Sequence, residues 1–87
     1  MHTERRFVYV LKTVSAPSRY YIGLSSNPTA RLAEHNEGIC RHTNTHRPWR
    51  LHVVVEFADE LTAARFETYL KSGSGRAFAR RHFDAGV

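Results

Sequence analysis

Residues 19–35 read RYYIGLSSNPTARLAEH. The first six of these positions, Arg19 to Leu24, gather aromatic and β-branched side chains with Gly23 near the end, the composition of a strand. Asn27 then stands at a cap position, Pro28 where the first helical turn tolerates a missing N–H, helix formers follow, and Gly38 supplies a stop. The spacing predicts a helix over roughly residues 28–37. A strand that passes through a few turn residues straight into a capped helix sets the frame in which the rest of the chain is read.

Upstream, FVYVLK (residues 7–12) is a second run of the same kind, and the intervening TVSAPS, with its proline and serines, suits a turn. The two runs form a β-hairpin. Downstream, ICRHTNTHRP (39–48) follows neither structural period and carries Arg41, His42, His46 and Arg47, so it reads as a basic loop. RLHVVVEF (50–57) alternates, with Leu51, Val53, Val55 and Phe57 on one face and Arg50, His52 and Glu56 on the other, which predicts a third strand. Asp59 caps ELTAARFETYLK, in which Ala63, Phe66 and Leu70 recur at helical spacing, and SGSG (72–75) breaks that helix before a short basic helix, RAFARRHF. The order β-β-α-β-α-α predicts an α/β chain of the α+β kind: a small three-stranded, mostly antiparallel sheet flanked by helices.

The 87 residues are expected to form one domain, residues 1–87, without repeat or linker. Thirteen Lys and Arg against eight Asp and Glu give a net charge of +5, which favours a polyanionic partner, nucleic acid first. A hydrophobic fraction of 41% is enough for a packed core and argues against global disorder. The single cysteine, Cys40, rules out an internal disulfide and fits a reducing cytoplasm. No apolar run is long enough for a membrane span, and MHTERRFVYV lacks the apolar segment of a leader, so a cytoplasmic protein with no membrane partner is expected, a monomer by default.

Several residues carry candidate chemistry. Glu67 lies on or beside the apolar stripe of its helix, so it is either an edge carboxylate paired with Lys71 at i+4 or a partly buried carboxylate held for a metal ion. Arg31 and His35, also four apart, share a helix face that is either simply solvated or suited to a phosphodiester, a guanidinium fork clamping phosphate oxygens beside an imidazole that handles a proton. Tyr9, Tyr20 and Tyr21 are strand aromatics that serve packing unless a nearby cation such as Arg31 eases ionisation of a phenol. Gly23 is either an ordinary strand end or a point of close approach by another backbone or a substrate. Cys40, His42 and His46 form a Cys-x-His-x₃-His arrangement one ligand short of a structural zinc site. Trp49 is either a core residue or a platform for an unpaired base.

Taken in order, these residues resemble the GIY-YIG nuclease family. VYV (8–10) is similar to its first strand motif and YIG (21–23) to its second; Arg31, His35 and Glu67 fall where the family carries a helix arginine, a frequent histidine and a metal-binding glutamate. The resemblance spans about Phe7 to Phe83 and looks closest to small single-domain members related to the GIY-YIG nuclease module of excision repair. Three departures stand out: Phe7-Val8-Tyr9 lacks the motif's first glycine, Leu24 stands where some members carry a lysine, and the late asparagine of some members has no match.

The resemblance implies a divalent-metal-dependent DNA endonuclease using one Mg²⁺ or Mn²⁺, with single-stranded or branched DNA as the favoured partner and little sequence specificity. A catalytically inactive nucleic-acid-binding module on the same fold is the alternative. In the catalytic reading Tyr9, Tyr21, Arg31, His35 and Glu67 make up the site: Glu67 holds the metal, Arg31 clamps a phosphate oxygen, Tyr9 or Tyr21 is the general base and His35 assists it. Arg41, Arg47, Arg50, Lys71, Arg76 and Arg80 are then the phosphate contacts that give affinity without sequence readout.

Overall fold

The computed structural model describes residues 5–87; the first four, on which the expectation about a leader partly rests, lie outside the described residues. Strands β1 (Arg6–Thr13), β2 (Tyr20–Ser25) and β3 (Trp49–Phe57) form one antiparallel sheet in the order β2-β1-β3. The hairpin register pairs Tyr9 with Gly23 and Leu11 with Tyr21. Helices α1 (Pro28–Asn36) and α2 (Arg41–Asn44) follow β2, and α3 (Glu60–Leu70) and α4 (Gly73–His82) follow β3. The β-β-α-β-α-α order expected from the sequence is the one observed, with the four-residue α2 as an extra turn inside the basic loop.

Alternation along β1 builds two cores, one on each side of the sheet. Val8 and Val10 point towards α3 and α4 and are buried with Ile22, Ala63, Leu70 and Ala79. Tyr9 and Leu11 point the other way and are buried with Trp49, against Tyr21, Leu51 and Leu32 of α1. The central strand is therefore apolar throughout its middle, whereas β2 and β3 are edges.

The third strand departs from the simple alternation. Val10 pairs with Val53 but Leu11 pairs with Leu51, so His52 is an extra residue, a β-bulge. The bulge turns Leu51 and Trp49 to the α1 side while Val53 and Phe57 stay with α3 and α4. His52 itself lies on the latter side, donating from Nε2 to the carbonyl of Phe83 at 2.7 Å and stacking edge-on with Tyr20. One face for Leu51, Val53, Val55 and Phe57 holds only for an unbroken ladder, and an inserted residue reverses the faces beyond it.

Capping follows the local sequence. The Asn27 side chain accepts from the Ala30 amide at 3.1 Å, Asp59 accepts from Thr62 at 2.8 Å and Ser72 from Gly75 at 3.1 Å. Gly38 ends α1 at a φ of +83°, a conformation side chains disfavour. At α4 the expectation needs correction: SGSG does not separate the helices, because Ser72 is the cap and residues 73–75 form the first turn. Gly75 permits this, since a Cβ there would lie 1.7 Å from the Tyr69 carbonyl oxygen, a backbone atom with no freedom to yield.

The two glycines of that turn therefore respond oppositely to alanine. Gly75→Ala is expected to destabilise the fold by at least about 2 kcal/mol, the cost of forcing an added methyl into a filled site. Gly73→Ala, where an added Cβ meets nothing within 4 Å, is expected to be neutral or stabilising by up to about 1 kcal/mol. Urea unfolding midpoints of the two variants check the pair.

Candidate active site

On the α1 side of the sheet the hairpin and the first helix converge. Tyr9, only 1% exposed, lays its ring across Gly23 of the neighbouring strand. A Cβ at Gly23 would stand 2.3 Å from the phenol oxygen, so the close approach that this glycine permits is made by the protein's own tyrosine. The Tyr9 oxygen then meets His35 Nε2 at 3.0 Å. His35 is fully buried on α1, and its Nδ1 lies 2.7 Å from the Thr43 hydroxyl of α2. Tyr21 is half-buried beside this pair, its ring 4.9 Å from the imidazole and 6.4 Å from the Tyr9 ring.

Arg31, one turn before His35, closes the group. Its guanidinium hydrogen-bonds Glu34, donates through Nη2 to Cys40 Sγ at 3.4 Å, and interacts with the Tyr9 hydroxyl. Burial works against that charge, but the Tyr9 hydroxyl and the Glu34 carboxylate outweigh it and hold Arg31 above its ordinary pKa, so it is a permanent cation. Burial raises the Tyr9 phenol, with Tyr21 adding to the rise and Arg31 opposing it. Burial, reinforced by the Arg31 charge and only partly offset by Glu34, lowers His35, so the imidazole is neutral at neutral pH.

Four of the five catalytic candidates, Tyr9, Tyr21, Arg31 and His35, thus form one connected group. Glu67 stands on α3, in the layer on the other side of the sheet, partly exposed, with its carboxylate 3.2 Å from Lys71 Nζ. The i+4 pairing expected from the sequence is present. Among the described residues no group of three or more His, Cys, Asp and Glu side chains is arranged to hold a metal, and the Cys40 thiol is engaged by Arg31 rather than by His42 and His46. A part-exposed carboxylate is still a fitting donor for a hard cation that keeps most of its positions for water and phosphate.

Tyr20 lies apart from the group, on the α3–α4 side against His52. Trp49 is 5% exposed and donates its indole N–H to the Thr43 carbonyl at 2.8 Å, so it is a core residue and no platform for a base. Of the expected phosphate contacts, Arg41, Arg50, Arg76 and Arg80 are exposed, while Lys71 is paired with Glu67. Arg47 is exposed too, yet its guanidinium bonds the carbonyls of Asn44 and Asn36 at 3.0 and 3.3 Å and so joins α2 to the end of α1. Sequence reasoning overlooked Thr43, Glu34 and Asn36. Asn36 grips the Trp49 backbone from both sides, accepting from its N–H at 2.7 Å and donating to its carbonyl at 3.0 Å. The one available signal was spacing: Glu34 is i+3 from Arg31 on the same helix face.

Two phenols from a hairpin set against an arginine and a histidine of the following helix define a nuclease-type catalytic domain. The chain matches the model of the GIY-YIG catalytic domain over residues 5–81, and it belongs to that family. It is similar to the structure-specific endonuclease subunit SLX1 of Malassezia globosa, 36% identical over 89 residues that cover 94% of this chain and 20% of that protein. The protein of the same name in Candida dubliniensis is 34% identical over 84 residues, 88% of this chain and 28% of that one. The SLX1 homolog of Giardia intestinalis is 34% identical over 65 residues, 70% and 18% of the two chains. The chain therefore spans less than a third of the length of these relatives.

The neutral, buried His35 makes stability depend on pH. Its pKa in the fold lies below the ordinary value near 6.5, so between the two the unfolded chain binds a proton that the native state does not. The contribution of His35 is expected to rise with pH up to about 6.5 and to level off above it. Unfolding free energies of wild type and His35→Asn across about pH 5 to 8 check this, the difference between the two curves isolating His35.

Proposed function

We propose that this domain is a divalent-metal-dependent endonuclease that hydrolyses phosphodiester bonds in single-stranded or branched DNA with little sequence specificity. The observation that carries the proposal is the joining of Tyr9, Tyr21, Arg31 and His35 through ring and hydrogen-bond contacts at one corner of the sheet, a geometry that binding alone does not require. Its relatives, named as structure-specific endonuclease subunits, support selection by DNA structure. An exposed set of arginines on the basic loop, β3 and α4 supplies phosphate contacts that read no bases.

In this reading Arg31 clamps a non-bridging phosphate oxygen and stabilises charge as it builds up in the transition state. Its guanidinium is already fixed by Glu34, Cys40 and Tyr9, so little reorganisation is needed when the phosphate arrives. Tyr21 is the better general base of the two phenols, because the Tyr9 oxygen is buried and committed to His35 whereas Tyr21 is half-exposed. Tyr21 orients the attacking water and takes its proton while its own phenolic proton leaves to solvent. Glu67 is the carboxylate that would hold a divalent ion, whose chemistry there would be to neutralise negative charge at the phosphate. The free thiol of Cys40 fits a reducing compartment such as the cytoplasm.

Labelled single-stranded, duplex and branched DNA incubated with Mg²⁺, Mn²⁺ or EDTA tests the proposal. Cleavage is expected with either metal and not with EDTA, and Arg31→Ala and Glu67→Ala are each expected to lower the rate about 100-fold or more while remaining folded. Protein that binds all three DNAs with a steep salt dependence and cuts none would leave a binding module as the correct description. Tyr21→Phe against Tyr9→Phe separates the phenols, the former being expected to reduce kcat more.

A further inference from the structure

Thr43 is only 1% exposed, and nothing in its position in the basic loop marks it as chemical, yet its hydroxyl is the hydrogen-bond partner of the inner nitrogen of His35. It has two contacts to satisfy: His35 Nδ1 at 2.7 Å and the carbonyl of Cys40 at 3.3 Å. A carbonyl only accepts, so the hydroxyl donates to Cys40 and must accept from Nδ1–H. The imidazole is neutral, which leaves Nε2 without a proton and able only to accept. The Tyr9 hydroxyl, 3.0 Å away, therefore donates to it.

The same assignment is reached from the other end. Arg31 is a pure donor, so its approach to the Tyr9 hydroxyl favours a phenol whose oxygen lone pairs face the guanidinium and whose proton points elsewhere. His35 Nε2 is the acceptor within reach. In the opposite tautomer, Nε2–H would compete with Arg31 for the phenol oxygen, and the phenolic proton would be left without that acceptor. The two ends thus agree on one direction of donation, from Tyr9 to His35 to Thr43 to the Cys40 carbonyl, with the Arg31 charge favouring it from beside the phenol.

We infer that Thr43 is a positioning residue: by holding His35 as the Nδ1–H tautomer it turns the Tyr9 oxygen towards Arg31 and so fixes the guanidinium that clamps phosphate. The catalytic part of this rests on the nuclease reading above; the tautomer does not. The placement of Thr43 is itself secured, since its carbonyl accepts the Trp49 indole N–H at 2.8 Å and the Trp49 backbone is gripped by Asn36. The groups that face the imidazole are Tyr9 on β1, Tyr21 on β2, and Arg31 and Glu34 on its own helix. A hydroxyl at position 43 therefore selects the tautomer, while these neighbours set its charge.

The test joins a spectroscopic and a kinetic measurement. Nitrogen-15 NMR of the imidazole in wild type is expected to show His35 protonated at Nδ1 and bare at Nε2 near neutral pH. In Thr43→Val, of nearly the same shape, the Nε2–H form is expected to appear, with kcat on branched DNA in Mg²⁺ falling about 10- to 100-fold while KM stays near wild type. Thr43→Ser keeps the hydroxyl and is expected to restore both readouts. An Nε2–H tautomer in wild type, or wild-type kcat in a folded Thr43→Val, overturns the inference. If Thr43→Val does not fold, the wild-type spectrum and the serine variant decide it. If wild type cuts no DNA, the nuclease reading fails, and the spectrum alone still decides the tautomer.

Discussion

The contact of the Tyr9 ring with Gly23 governs the arrangement of this domain. The antiparallel register sets Gly23 directly opposite Tyr9, and the Tyr9 ring occupies the space a side chain at position 23 would need. Laid across that glycine, the phenol brings its oxygen to the helix, where His35 and Arg31 are one turn apart. Were Gly23 any other residue, the phenol would be pushed from the sheet and the chain of hydrogen bonds beyond it would lose its first member. The strand motif and the helix motif are thus two ends of one packing solution.

The site is built in depth. Its inner members, Tyr9, His35, Thr43 and Trp49, are buried, and among the described residues no buried side-chain nitrogen or oxygen lacks a hydrogen-bond partner. Such a fully satisfied network holds a single geometry, because any rotation leaves a buried polar group unpaired. Its outer members, Tyr21 and Arg31, are the ones left partly open to solvent. This division puts rigidity underneath and leaves the Arg31 charge at the surface. Glu67, carried by α3 on the opposite side of the sheet, is tethered to Lys71.

Much of this was legible from the residues in order. Asn27 and Asp59 act as caps because their side chains bond amides only a few positions ahead, and local chemistry of that kind survives in any fold. The hairpin was readable from its β-branched and aromatic runs and turn residues, the first helix from its cap and stop, and the amphipathic third helix from its period, while the spacing of four offered the pairing of Glu67 with Lys71. The grouping of Arg31 and His35 followed from their spacing of four on one helix.

What the tertiary structure decided lies where distant segments meet. The bulge at His52 reverses the facing of half of β3, and no alternation rule reveals an inserted residue that exists only relative to its partner strand. Gly75 looked like a helix breaker until the Tyr69 carbonyl packed against it, and Trp49 looked available for stacking until it closed over Thr43. Thr43 gained its importance solely from standing 2.7 Å from a histidine eight residues earlier. Propensity, capping and spacing depend on neighbours along the chain and are written in the sequence. The direction in which a buried hydroxyl donates depends on which groups surround it, and that is set only when the layers pack.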